Sequence, residues 1–279
     1  MPSRPQIVLV GPGKLGTSLA LALRSAGYRV AEIVSRNRTS SRARARKLAR
    51  LVGARAVTPR TADWKGSAVF LCVTDHAIAR CADELARMGS WKGKRVFHCS
   101  GALSSELLAP LQRRGAAVAS LHPMMTFVSA APAALRGVSF ALEGDPAAVA
   151  LARRMVRDLG GHVLAVSPAA KTLYHAFGHF SSPQLVSLLA AAEAVAGAAG
   201  LRRFQVRRAM EPIVRQTLEN YFRGGAAAAF SGPLARGNVE TVRRHLRALR
   251  RLPRARAIYA TLAAFALNQL PARNRPALA

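Results

Sequence analysis

The sequence has few acidic residues for its many basic ones. Thirteen Asp and Glu residues stand against 42 Lys and Arg residues, which gives a formal net charge of +29. Such a charge attracts anionic ligands and can hold nucleic acid non-specifically. No nucleic-acid-binding motif accompanies it, and the arginines are scattered over most predicted helices. We therefore expect a solvated basic surface rather than a dedicated nucleic-acid site.

The sequence also has little cysteine and no long uninterrupted apolar run. Its three cysteines are Cys72, Cys81 and Cys99. They show no Cys-x-x-Cys spacing, which argues against a disulfide framework or a metal site and favours a reducing compartment. The longest apolar region, 185–201, is interrupted by Glu193, so it predicts a buried helix rather than a membrane span. The first residues lead straight into Ile7–Val10 without room for a signal peptide, and we expect a cytoplasmic protein with no membrane association.

Short runs rich in Val and Ala alternate with helical patterns through the first two-thirds of the chain. This alternation is typical of a mostly parallel sheet covered by helices. Strands are predicted near 7–10, 29–34, 55–57, 68–73, 95–99, 117–121, 138–142 and 162–166. After Ser167-Pro168 the strand pattern ends, and helices are predicted near 169–199, 202–222, 238–250 and 254–269, with a break at Gly224-Gly225. The sequence thus predicts an α/β domain over residues 1–167 and an all-helical domain over 168–279.

A glycine-rich loop lies between the first strand and the first helix. It reads Gly11-Pro12-Gly13-Lys14-Leu15-Gly16. In this context Gly11 permits a tight turn, Gly13 lets a pyrophosphate approach the backbone, and Gly16 lets the helix pack on the strand. The helix start at Lys14 and Leu15 supplies N–H groups and a positive dipole. The loop predicts a Rossmann-type dinucleotide site; the alternative is a glycine turn without a ligand.

The segment after the second strand indicates which dinucleotide is bound. Where an NAD-specific fold places an acidic side chain for the ribose 2′-hydroxyl, the chain reads Val34-Ser35-Arg36-Asn37-Arg38-Thr39. A hydroxyl at Ser35 and guanidinium groups at Arg36 and Arg38 suit a 2′-phosphate, since Arg donates bidentate, charge-assisted hydrogen bonds. We therefore predict NADP(H) as the cofactor. The alternative is that both arginines belong to the general basic surface.

Polar side chains follow three further strands, and ligands of parallel sheets bind at the carboxyl ends of strands. These clusters are 73–76, 98–101 and 122–127. We expect Val73 and Thr74 to hold cofactor, and Ser100 and His122 to contact the nicotinamide or a small-molecule substrate. The alternative for each is structural, because Thr and Ser cap helices and turns, and a His before Pro can simply satisfy a turn.

The start of the helical domain carries basic residues at helical spacing. Lys171, His175 and His179 fall on one helix face, which should look towards the sheet. Lys171 and His175 are predicted proton donors for a C=O or C=N group that is reduced near the nicotinamide. The alternative is that Lys171 extends to solvent and His175 is a hydrogen-bonded core residue.

Together these motifs resemble a known family, the bacterial Rossmann-like proteins whose C-terminal half is a domain of unknown function 2520. The resemblance spans the whole chain and is carried by Gly11–Gly16, 98–102, 120–123 with Phe127, 171–175, and 231–238 with Thr241 and His245. It implies a Rossmann domain joined to a helical domain like that of 6-phosphogluconate dehydrogenase, pyrroline-5-carboxylate reductase, ketopantoate reductase and the deazaflavin-dependent NADP reductases. It also implies a homodimer formed through the helical domain.

Two positions depart from the pattern of that family. Ser181-Ser182-Pro183 stands where related dehydrogenases have an Asn, and Asn238 stands where the family usually has Asp. The leading hypothesis is an NADP(H)-dependent oxidoreductase acting on a small, anionic carbonyl or imine. The departures leave open a cofactor-binding sensor or scaffold without catalysis. The His-Pro-Met segment at His122 leaves open an enzyme resembling prephenate dehydrogenase.

Overall fold

The computed structural model describes residues 4–128 and 135–278, and its eight strands form one sheet. The strands are β1 (Ile7–Val10), β2 (Val30–Val34), β3 (Arg55–Val57), β4 (Ala68–Leu71), β5 (Arg95–His98), β6 (Ala117–Pro123), β7 (Ser139–Gly144) and β8 (His162–Ala165). Their order in the sheet is β3-β2-β1-β4-β5-β6-β7-β8. Each neighbouring pair is parallel except β6 with β7. The predicted fold class, a mostly parallel α/β sheet followed by helices, is confirmed.

Helices cover both faces of this sheet, which is why its central strands are apolar on both sides. The helices of this part are α1 (Lys14–Ser25), α2 (Thr39–Val52), α3 (Asp75–Ala86), α4 (Ala109–Gln112) and α5 (Pro146–Asp158). On one face Leu9 and Phe70 join a core with side chains of α1, α2 and α5. On the other face Val8, Val69 and Leu71 join a second core with side chains of α3 and α4. The two cores fix the strand ends from which the candidate site is built.

The strand order reverses between β1 and β4. The chain passes from β1 outward to β2 and β3, then returns to place β4 on the other side of β1. At such a switch point the loops that follow the two strands separate and leave a crevice, which is where open parallel sheets bind ligands. In this protein the crevice lies between the glycine loop and the segment Cys72–Thr74.

The C-terminal part is helical. Its helices are α6 (Lys171–Ser181), α7 (Pro183–Ala198), α8 (Arg203–Ala229), α9 (Val239–Ala248), α10 (Pro253–Gln269) and α11 (Arg275–Leu278). The single helix predicted over 169–199 is wrong, because Ser182 has non-helical dihedral angles (φ −135°, ψ −82°) and Pro183 begins a new helix. A proline has no N–H to donate and is favoured at a first helical position. The predicted break at Gly224-Gly225 is present, since Gly225 adopts φ +75° inside α8.

The described residues fall into two compact units that divide between His179 and Phe180. The first unit contains the sheet and most of α6, and the second contains the remaining helices. The domain boundary expected at residue 167 remains a prediction. Within the described part of the chain, no helix combines the length and the apolar character that crossing a membrane requires.

Candidate cofactor and active site

Two of the three glycines in the glycine loop are required by packing. Gly11 follows β1 with φ +98°, and a Cβ there would overlap the carbonyl oxygen of Cys72. A Cβ on Gly16 would overlap the carbonyl oxygen of Gly11 and would lie 3.1 Å from a methyl group of Leu9. Gly11 therefore permits the turn after β1, and Gly16 permits α1 to pack closely on the sheet.

Gly13 differs from both, because nothing lies within 4 Å of the position that its Cβ would take. It precedes α1, whose first hydrogen bond runs from the N–H of Thr17 to the carbonyl oxygen of Gly13 at 2.9 Å. The N–H groups of Lys14, Leu15 and Gly16 come before that bond. Among the described residues, none caps α1 with its side chain, and its first turn contains no acidic residue. The loop thus presents open space and the positive end of a helix to an anion.

A cavity of about 1010 Å³ lies at the carboxyl ends of β1, β2 and β3. Its cationic lining residues are Arg36, Arg42, Arg46, Arg60 and Arg80. Ser35, which is 4% exposed, also lines it. Of the described residues around this cavity, only Glu84 is acidic, and its carboxylate lies 3.8 Å from the Arg80 guanidinium. We call this space the arginine cavity; it holds a strong excess of positive charge.

The predicted cofactor residues occupy different positions around these two features. Ser35 and Arg36 line the arginine cavity, whereas Arg38 is exposed just before α2 and is not among the described lining residues. Val73 packs over the turn, because one of its methyl groups lies 3.2 Å from the Cβ position of Gly11. Thr74 is exposed before α3, and its hydroxyl lies 3.2 Å from the ring of His76 rather than capping the helix.

Ser100 organises the turn that follows β5. Its hydroxyl donates to Asp75 at the start of α3 (2.9 Å) and accepts from the N–H groups of Ala102 and Leu103 (3.2 Å each). Its own N–H donates to Nδ1 of the buried His98 at 3.1 Å. Nε2 of His98 lies 3.0 Å from a backbone carbonyl oxygen, to which it must donate. Burial lowers the pKa of His98 to about 4, so this ring is a neutral structural group.

Lys171 is buried against the same turn, with 1% of its surface exposed. Its Nζ donates to the carbonyl oxygen of Ser100 at 3.0 Å and to the hydroxyl of Ser120 on β6. Burial lowers the pKa of this ammonium group below its ordinary value of 10.5, although nearby acidic groups, Glu143 first among them, act in the opposite direction. The alternative in which Lys171 extends to solvent is wrong, because the buried ammonium donates to acceptors in the turn after β5 and on β6.

Two imidazole rings lie above Gly101. The ring of His122, on β6, lies 2.9 Å from the position that a Cβ on Gly101 would take, and the ring of His175 lies 2.8 Å from it. Nδ1 of His122 is hydrogen-bonded to the hydroxyl of Tyr174 at 2.9 Å. His175 also meets His179 edge to face, with ring centroids 4.9 Å apart. The glycine therefore leaves a cradle between two imidazole rings, and α6 turns its Lys171 and His175 face towards the sheet.

Both members of the His122–Tyr174 pair are neutral near pH 7. Burial lowers the pKa of His122 to about 4, and the positive charge of Lys171 contributes in the same direction. Burial raises the pKa of Tyr174 to about 12. When the Tyr174 hydroxyl donates its proton to Nδ1, the imidazole proton lies on Nε2. Nε2 faces the Gly101 cradle and is then a hydrogen-bond donor.

The two family departures lie at helix ends of the C-terminal part. Ser182 and Pro183 separate α6 from α7. Asn238 caps α9, because its side-chain oxygen accepts from the N–H of Thr241 at 3.1 Å. An Asn accepts such a hydrogen bond as an Asp does, so the capping function survives the loss of the charge.

The roles of several residues in these sites were not predicted from the sequence. Arg42 and Arg46 had an available signal, because they stand four residues apart on one face of α2, just after Arg36. Tyr174 lies within the motif 171–175, but the sequence alone assigned no role to it. Its role depends on α6 meeting β6, which is a tertiary contact that no local pattern encodes.

The comparisons with known proteins agree with this architecture. Residues 1–123 match a Rossmann-like domain, and residues 138–265 match the domain of unknown function DUF2520. No curated protein sequence matches the chain.

Solved structures share the fold over most of the chain. One, from Bacteroides fragilis and proposed to be an NADP oxidoreductase, is 22% identical, covers 94% of this chain and 97% of its own, and superimposes with a TM-score of 0.74. The protein TM1727 from Thermotoga maritima is 22% identical with 98% of each chain covered and a TM-score of 0.73. A reductive aminase from Aspergillus terreus is 15% identical with 99% of each chain covered and a TM-score of 0.65. Because the sequence identities are 22% or lower, the structural similarity establishes the fold alone.

Proposed function

Because this chain joins a Rossmann-like domain to a domain of unknown function 2520, we propose that it is an NADP(H)-dependent oxidoreductase acting on a small carbonyl or imine substrate. The observation that carries the proposal is the arginine cavity beside Ser35, next to a glycine loop with an open helix start. The structural neighbour from Aspergillus terreus was solved with NADPH and ethyl-5-oxohexanoate, which supports both the cofactor and the substrate class.

The residues present fit a phosphorylated dinucleotide at three points. Open space at Gly13 and the N–H groups of Lys14 and Leu15 would hold a pyrophosphate. The hydroxyl of Ser35 and the guanidinium of Arg36 would hold a 2′-phosphate, with Arg42 and Arg46 completing the arginine cavity. A ribose 2′-hydroxyl alone would leave this positive charge uncompensated. When bound, the cofactor would supply or accept a hydride.

A pair of double variants tests the cofactor preference. We expect Arg42→Gln with Arg46→Gln to weaken NADPH binding about tenfold or more and to leave NADH binding unchanged, because only NADPH carries the phosphate that these guanidiniums bind. Arg44→Gln with Arg50→Gln is the matched control, since these exposed residues lie on the same helix outside the cavity. Equal losses for both cofactors, or the same loss in the control, would contradict the proposal.

The Gly101 cradle is the proposed place of the reacting group. His122 would donate a hydrogen bond from Nε2 to a carbonyl oxygen or imine nitrogen, and Tyr174 would keep its imidazole in that tautomer. A neutral imidazole can stabilise negative charge that develops on such an atom. His175 faces the same cradle and is the second proton-donor candidate.

Lys171 and Ser100 take a different role in this proposal. The Ser100 hydroxyl is occupied by Asp75 and two N–H groups, and the Lys171 ammonium is buried against Ser100 and Ser120. We therefore assign both as positioning residues that hold the turn beneath the cradle. The basic composition of the chain favours anionic substrates through its long-range field.

Turnover of NADPH with a panel of carbonyls, each with and without an amine, tests the catalytic assignment. We expect His122→Asn and His175→Ala to lower kcat about a hundredfold or more. His162→Asn, an exposed histidine on β8, is the control and should leave kcat unchanged. Unchanged turnover in both His122→Asn and His175→Ala would refute the assignment.

A cofactor-binding protein without hydride transfer is the second candidate. The burial of Lys171 favours it, because the ammonium group of this lysine is committed to the carbonyl oxygen of Ser100 and the hydroxyl of Ser120. Its signature is tight NADPH binding with no oxidation of NADPH by any member of the panel.

We further propose that the protein forms a homodimer through its second unit, as the resemblance to dimeric dehydrogenases implies. Phe222, Ile213 and Phe204 are 81%, 67% and 60% exposed on α8. Light scattering should give a dimer for the wild type and for Leu51→Ser in the first unit, and a monomer for Phe222→Ser with Ile213→Ser. A monomeric wild type would overturn this proposal.

A further inference from the structure

A second basic cavity lies at the opposite edge of the sheet from the glycine loop. Its volume is about 740 Å³, within the range of ligand pockets. Polar residues around it come from the segments just before β1 and β4, from the start of β5 and from α5. They are Arg4, Gln6, Lys65, Ser67, Arg95 and Arg154. We call it the basic edge cavity; neither the glycine loop nor the Gly101 cradle contributes to it.

The basic edge cavity concentrates positive charge in a concave space. Four of its lining residues are cationic, and among the described residues that line it none is acidic. The charge of Arg4 is compensated by Asp158, which is not a lining residue and whose carboxylate lies 3.7 Å from Nε of Arg4. The same carboxylate accepts a hydrogen bond from the hydroxyl of Tyr28 at 2.7 Å. Like charges held together in this way repel each other unless a counter-charge binds between them.

Arg154 distinguishes this cavity from the general basic surface of the protein. Its Nε is buried, and within the described part of the chain it has no hydrogen-bond partner. The rest of this half-buried guanidinium is not isolated, because it interacts with the hydroxyl of Tyr28. Buried donors of native proteins are almost always hydrogen-bonded, so the Nε–H is the part of Arg154 that lacks a partner. The neighbouring Arg153 is exposed. The helix that carries Arg154 also lines the cavity with Ala147 and Ala150 of its first turns, and its acidic N-cap residue Asp145 lies outside that lining.

We infer that the basic edge cavity binds a small phosphate-bearing ligand, separate from the cofactor. Phosphate oxygens match guanidinium donors in a bidentate manner, and three arginines surround the space. The concave shape suits a compact phosphate-bearing molecule, for which pyrophosphate is the simplest probe. A nucleic-acid backbone presents its phosphates along a convex cylinder, which fits this cavity less well.

Calorimetric titration with inorganic pyrophosphate, at about 0.15 M salt to screen the exposed charges, tests the inference. The comparison is between Arg95→Gln with Arg154→Gln and a control of equal charge change, Arg153→Gln with Arg157→Gln, whose exposed residues lie on α5 outside the lining. Both proteins keep the glycine loop and the arginine cavity, so any pyrophosphate bound there is common to both.

We expect the cavity variant to lose one binding site or to bind about tenfold more weakly, while the control binds as the wild type does. Equal binding by the two variants, or no binding by the wild type, would overturn the inference. A parallel titration with a short DNA duplex distinguishes the two phosphate sources. If the cavity variant bound DNA more weakly but bound pyrophosphate as the control does, a small-molecule site would be refuted. If the double variant does not fold, Arg95→Gln against Arg153→Gln decides the same question.

Discussion

Alanine substitutions at two glycines of the same loop should separate folding from cofactor binding. A Cβ on Gly16 would overlap the carbonyl oxygen of Gly11, so α1 must move away from the sheet. Overpacking of this kind costs about 1–3 kcal/mol, which lowers the melting temperature by roughly 2–12 °C for a chain of this size. A Cβ on Gly13 would touch nothing, and its φ of −83° is open to any residue. Its free energy of unfolding should therefore change by less than about 0.5 kcal/mol.

For Gly13→Ala we expect a loss of NADPH affinity although the free energy of unfolding hardly changes. If a pyrophosphate occupies the open space at Gly13, the added methyl group displaces it and weakens binding about tenfold or more. Calorimetric melting and fluorescence titration of Gly13→Ala and Gly16→Ala against the wild type measure both quantities. Unchanged NADPH affinity in Gly13→Ala would refute the placement of the pyrophosphate, and an unchanged melting temperature in Gly16→Ala would refute the packing argument.

Two further predictions concern the side chains around Gly101. The pKa of Lys171 is lower in the native protein than the 10.5 of a free lysine, so at high pH the unfolded chain binds more protons. Urea unfolding should therefore show the wild type gaining stability over Lys171→Met as pH rises from the native pKa towards 10.5; a constant difference would contradict the buried ammonium. Tyr174→Phe should lower kcat about tenfold with KM unchanged, because His122 loses the donor that fixes its tautomer. A changed KM with an unchanged kcat would point instead to a contact between Tyr174 and the substrate.

Local patterns predicted the strands and the glycine loop well. Runs such as Ile7–Val10 and Ala68–Leu71 are buried on both faces, so hydrophobicity alone marks them. The glycines at Gly11 and Gly16 are dictated by short-range geometry that the motif encodes. Pro183 was equally visible in the sequence as a helix breaker, but the surrounding apolar pattern outweighed it and gave one predicted helix instead of two.

The parts that could not be predicted depend on distant segments meeting. The burial of Lys171 follows from acceptors at Ser100 and Ser120, which are brought together by the pairing of β5 with β6. The arginine cavity likewise draws its charge from separate elements, such as Arg60 after β3 and Arg80 on α3. A chain with 42 basic residues gives no local sign of which ones share a cavity.

The proposal that the protein uses NADP(H) is tested most directly by its relative affinity for NADPH and NADH. Titration of the purified protein with each reduced cofactor, followed by nicotinamide fluorescence at fixed salt, gives the two dissociation constants. The arginine cavity beside Ser35 predicts that NADPH binds at least about tenfold more tightly. Equal affinity, or tighter binding of NADH, would contradict the account.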